Sequence, residues 1–102
     1  MTAQELAHDC EAHMDGGLPL PTPEMDGDAL FRLGVMYSTG QGGAPVDLVS
    51  AHMIFNLAAM KGSEEARIYR KELSAEMERE DLAEAQRAAR RWIDQGAAKL
   101  AA

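Results

Sequence analysis

Three glycines in four positions, Gly40-Gln-Gly-Gly43, stand between two stretches whose apolar residues recur with the period of a helix. No regular element runs through such a segment. Its residues tolerate positive φ and close backbone turns, so the chain must stop and redirect there. Before it, Ala29, Leu30, Leu33, Val35, Met36 and Tyr37 form a broad apolar face through about residue 38, with Asp26 or Asp28 placed to cap the start. After it, Pro45 stiffens the exit and Asp47 is an N-cap candidate. Leu48, Ala51, Ile54, Phe55, Ala58 and Ala59 then follow at i, i+3, i+4, i+7 spacing, and Gly62 closes the second helix.

The same signals continue. Ser63-Glu-Glu supplies a cap and first-turn acids for a third helix, with Ala66, Ile68, Tyr69, Leu73 and Met77 as its apolar side and an end near Glu78. A fourth begins at Glu80 or Asp81, turning Leu82, Ala85, Ala88, Ala89, Trp92 and Ile93 inward, and residues 96–102 read as a loose tail. At the other end, Thr2-Ala-Gln-Glu5 has capping-box spacing for a short helix over about 3–14. Gly16-Gly17 ends that helix, and the three prolines of Leu18-Pro-Leu-Pro-Thr-Pro23 make an extended connector. Only 5% of residues are aromatic while small side chains abound, which favours closely packed helices over a sandwich, and 102 residues suffice for one modest core. The expectation is an all-α chain: an acidic arm with its connector over 1–25, a helical domain over 26–95, and the tail.

Comparison of the chain with itself sharpens this. Asp47-Leu-x-x-Ala51 returns 34 residues later as Asp81-Leu-x-x-Ala85, with Phe55 matched by Ala89 and Ala58 by Trp92. Residues 29–62 read Ala29-x3-Leu33-Gly34-x2-Tyr37-x2-Gly40-x-Gly42, then Asp47-x3-Ala51-x3-Phe55-x2-Ala58-Ala59-x2-Gly62. This pattern closely resembles the Sel1-like repeat, with residues 63–95 as a degenerate second copy lacking the glycine loop. The resemblance implies antiparallel helical hairpins, a short fragment of a TPR-like superhelix, and adaptor or scaffold roles in protein complexes. It departs from the family pattern at Gly43, at Ile54 and in a longer approach to Asp47. Its residues have physical reasons of their own: Gly34 and Ala58-Ala59 let helix axes approach closely, while Tyr37 and Phe55 fill the gap. Arrays of this kind need about three repeats to bury their own faces, so one face here is left for the arm, a partner or a second copy to cover.

Charge and composition narrow the chemistry. The net charge of −7 is uneven: residues 1–31 hold seven acids (Glu5, Asp9, Glu11, Asp15, Glu24, Asp26, Asp28) and no Lys or Arg, while residues 32–102 balance ten against ten. Such a surplus repels phosphate, so neither nucleic acid nor an anionic membrane is an expected partner. Cys10 is the single cysteine, which excludes an internal disulfide and a Cys-rich zinc site. With no signal-peptide pattern and no apolar stretch near the roughly 18 to 20 residues of a membrane span, the cytoplasm is the expected location. His8, Cys10 and His13 lie close in sequence, but on a helix they do not share a face, so the histidines read as exposed surface residues paired with Glu5 and Asp9, and Cys10 as one of the apolar positions. The glycine loop lacks a following Walker lysine and reads as a turn. No catalytic residue, cofactor or metal is expected.

An unidentified protein partner is the leading expectation. Flexible methionines suit adaptable binding surfaces as well as cores. Met36, His52, Met53, Asn56 and Met60 are accordingly the candidate partner-binding surface on the concave side. A self-associating module is the alternative, a homo-oligomer closing its open end around Tyr69 and Trp92. A small metal-binding protein or enzyme ranks behind both.

Overall fold

A computed structural model describes residues 18–43 and 45–101, with side-chain burial to residue 95 apart from Gly42. The expected helix at 3–14 lies outside the described residues. Those described form four helices and no strand: α1 (Gly27–Thr39), α2 (Leu48–Met60), α3 (Glu64–Glu76) and α4 (Arg79–Ala101). The backbone of α4 continues past Gly96, so the segment read as a loose tail is helical to Ala101.

Each helix start but the last is fixed by one short polar side chain. The Ala29 amide donates to Asp26 Oδ1 at 2.8 Å, the Ser50 amide to Asp47 Oδ1 at 3.0 Å, and the Ala66 amide to Ser63 Oγ at 3.1 Å. These caps satisfy amides that a helix cannot pair internally. Asp81, the sequence counterpart of Asp47, caps nothing, because α4 starts two residues earlier and places Asp81 within its first turn. At the C-terminus of α1, Gly40 takes a left-handed conformation (φ 68°) and its amide donates to Met36 O. Gln41–Gly43 add one 3-10 turn.

The start of α1 lies against the end of α2. A side chain at Gly27 would meet Lys61 O at 3.0 Å, and the Asp47 amide donates to Tyr37 O at 3.0 Å at the opposite end. The two helices therefore run antiparallel. Midway, a Cβ at Gly34 would sit 2.5 Å from the Phe55 ring, so only glycine allows the ring to lie on the α1 backbone. α3 runs antiparallel to α2 in turn, pairing Arg70 with Asn56 and Ser74 with His52.

α2 occupies the centre, packing against α1, α3 and α4, whereas α3 and α4 make little contact with each other. It consequently buries more than one stripe: Ala51, His52, Ile54, Phe55, Leu57 and Ala58 are all inside. The single face expected from spacing omitted His52 and Leu57. The burial pattern does repeat between α2 and α4, where Ala51 matches Ala85 and Phe55 matches Ala89, each within 1% of full burial.

Residues 18–25, grouped on sequence with the arm, are packed onto the α1–α2 pair. Leu18 is buried, Tyr37 Oη donates to Pro19 O at 2.8 Å, and Lys61 Nζ donates to Pro23 O and Met25 O at 2.6 and 2.7 Å. The strap turns at Pro23–Glu24, where the Met25 amide donates to Thr22 O, and the donors hold the carbonyls of Pro19, Pro23 and Met25.

Candidate functional site

The surface of interest is carried by α3, which buries only Ala66 and Leu73 of its thirteen residues. With those two facing α2, and about 100° of turn per residue, the remaining side chains divide into two flanks. One carries Glu65, Tyr69, Glu72 and Glu76, and the other Arg67, Lys71 and Ser74, with Arg70 beside the buried line.

Tyr69 lies across the gap to α1. Its ring meets Phe31 edge-on at 5.0 Å and Phe55 at 5.6 Å, while Phe31 and Phe55 are 5.9 Å apart. Such pairs add about 0.5–1.5 kcal/mol each beyond area burial, so the trio ties α1, α2 and α3 together. Tyr69 is nevertheless 43% exposed, and Ile68 beside it is 56% exposed. A shallow open groove of about 540 Å³ runs along the other flank, lined by Glu64, Arg67, Ile68, Arg70, Lys71 and Ser74. Ile68 belongs to both features.

The candidate surface read from sequence is rearranged. His52 is 3% exposed, because α3 covers that side of α2 and Ser74 bonds its ring. That corrects its assignment to a contact surface. Asn56 accepts from Arg70 at 2.6 Å and so faces α3 as well. Met36 and Met53 are half-buried against the core, whereas Met60 is 60% exposed at the end of α2. Of the two residues named for self-association, Tyr69 is committed to Phe31 and Phe55 and keeps its outer side open, and Trp92 is half-buried against the core. The apolar pattern of α3 counts Ile68 on its inward side, whereas the structure turns it out. The signal that could have exposed it was its offset from Ala66 and Leu73, which turns it nearly opposite to them.

Beneath the groove lies one buried polar pair. His52 Nε2 is 2.8 Å from Ser74 Oγ, which is itself 2.8 Å from Arg70 O. A serine has one proton to give; when it goes to Arg70 O, His52 Nε2 donates to Ser74 and Nδ1 is left as an acceptor. Nδ1 has no partner. Burial first, and the Arg70 charge second, hold the His52 pKa below its ordinary value of 6.5, so the ring is neutral near pH 7. The bond joins α2 to α3.

On α4, Glu84 accepts from Arg87 at 2.9 Å and Arg91 at 3.3 Å, and those bonds hold its carboxyl below the usual range on an exposed surface. Among the described residues no group of three or more His, Cys, Asp or Glu is placed to hold a metal, and no helix is long and apolar enough to cross a membrane. His8, Cys10 and His13 fall outside the described residues. Compared with family models, with curated proteins and with solved structures, the chain gives no match in any of the three.

Proposed function

We propose that this chain is a protein-interaction adaptor or small regulatory scaffold of the Sel1-like type, working from the cytoplasm, and that its contact surface is centred on Ile68 and Tyr69 of α3. The observation that carries this reading is the exposure of those two adjacent side chains, 56% and 43%, on a helix held by a small buried footing. Exposed apolar residues scattered singly need no explanation, but an aromatic and a branched aliphatic side by side, rimmed by charges of both signs, have the make-up of an interface core. Tyrosine suits such a place because its ring packs while its hydroxyl stays wet. The helical-repeat reading is supported by the sequence motif, by the antiparallel run of α1 and α2, and by the matched burial of α2 and α4. In that reading α1 and α3 are the first helices of successive hairpins.

The test is affinity capture with the wild-type chain and with Ile68→Ser/Tyr69→Ser in parallel, each checked by light scattering at two concentrations. A partner retained stoichiometrically by the wild type and lost by the variant is the expected result. Identical capture by both, or none by either, overturns the assignment. The second reading, a self-associating module, is favoured by Trp92 lying only half-buried on the outermost helix. It requires the wild type to gain mass with concentration and Trp92→Ala to abolish the gain.

A further inference from the structure

The basic flank of α3 is poorly neutralised. Arg87 and Arg91 of α4 share Glu84, but among the described residues Arg67 reaches only Glu64, at 4.0 Å, with both side chains mostly exposed. Arg70 is turned to the neutral amide of Asn56, and Lys71 meets no acid among the described residues. In a chain of net charge −7, the groove, with Glu64 set against Arg67, Arg70 and Lys71, thus keeps a cationic surplus around Ile68.

The chain also carries a segment of the opposite character. Residues 1–17 hold Glu5, Asp9, Glu11 and Asp15 and no base, and their apolar positions Leu6, Ala7, Cys10 and Met14 recur at helical spacing. Glu5 and Asp9 are four apart, as are Arg67 and Lys71. The segment is joined to the fold at a fixed point, because Leu18 is buried and Pro19 is held by Tyr37. Tethering of this kind raises the effective local concentration of a segment to the millimolar range, enough for weak complementary contacts to persist.

We infer that residues 1–17 dock within the same molecule on the Arg67–Lys71 flank of α3, acids against the two cations and apolar positions over Ile68. A covered Ile68 is not available to another protein, so the docked arm competes with a partner for α3. That regulatory consequence rests on the interaction reading above; the docking itself does not.

Cys10 is the sole cysteine and belongs to the apolar stripe, so the nitroxide is attached off that stripe, on the full-length, isotope-labelled chain carrying Cys10→Ala/His8→Cys. The expected result is paramagnetic loss of amide signal concentrated along residues 64–74. The loss should diminish with added salt and in Arg67→Glu/Lys71→Glu, and return when that variant also carries Glu5→Lys/Asp9→Lys. Arg67 and Lys71 are exposed, so their charge reversal should keep the helical spectrum of the parent. Broadening no greater on α3 than on α4, or unaffected by the charge reversals, overturns the proposal. So does equal broadening in a mixture of isotope-labelled chains without nitroxide and unlabelled chains with it, which would place the contact between copies. A negative result leaves the capture test on Ile68 and Tyr69 standing, so the two ideas fail separately.

Discussion

The α1–α2 pair and the α3–α4 pair are built from similar helices but held very differently. The first has side-chain caps at both starts, a left-handed glycine at the turn, a proline strap tied down at three carbonyls, and a ring seated on bare backbone at Gly34. In the second, α3 buries two residues and α4 fully buries only Ala85 and Ala89 among its described side chains, with Trp92 and Ile93 half-buried against the core. α3 and α4 scarcely support one another. The contrast separates the labour: the first pair holds the fold, and the second spends its surface on exposed contacts.

Breaking the first pair should have the largest effect. Phe55 is 1% exposed and touches α1, α2 and α3, so Phe55→Ala should cost about 3–5 kcal/mol in chemical denaturation, with all helices lost together. Gly34→Ala comes next, at about 1–3 kcal/mol, because the new methyl must displace the Phe55 ring. If the clash is the cause, Gly34→Ala/Phe55→Leu should lose less than the sum of its single changes. Asp47→Ala removes the acceptor for both the amide and the hydroxyl of Ser50 and should cost about 1 kcal/mol by thermal melt, whereas Asp81→Ala, at a position that caps nothing, should cost less.

The smallest effect belongs to pH and sharpens the comparison at the α2–α3 contact. The folded pKa of His52 is depressed, so the unfolded chain binds the proton more readily. The stability this group contributes is therefore complete above its unfolded value near 6.5 and is lost as pH falls from there toward the lower folded value. Melting followed from pH 7.5 to 5 should fall in the wild type and fall less in His52→Gln. An equal slope in both would remove His52 from the account.

What was legible in the sequence was local. Asp26, Asp47 and Ser63 announce helix starts because a short acceptor before an apolar period has one obvious use, and Gly40 ends α1 because few residues accept its φ. The close approach at Gly34 could also be read, since a glycine within an apolar helical run has a packing reason more often than not. What could not be read was which faces of α2 have neighbours. Spacing identifies one stripe, but α2 has three packing partners, so His52 and Leu57 are buried by helices that the periodicity of α2 does not mention. The strap was obscure for a related reason. Residues 18–25 have no period, and their anchor, Tyr37, is 18 residues away from Pro19. On the candidate surface, the adaptable methionines stand out in the sequence and Tyr69 enters only as a self-association residue, while Ile68 joins the apolar side of α3 although the register of Ala66 and Leu73 turns it out.

Native-state hydrogen exchange resolved by residue tests the division between the two pairs most directly. The account requires α1 and α2 amides to exchange only with the free energy of global unfolding, and α3 and α4 amides to exchange through smaller openings that leave α1–α2 intact. Equal protection across all four helices, or α3 outlasting α1, would contradict it.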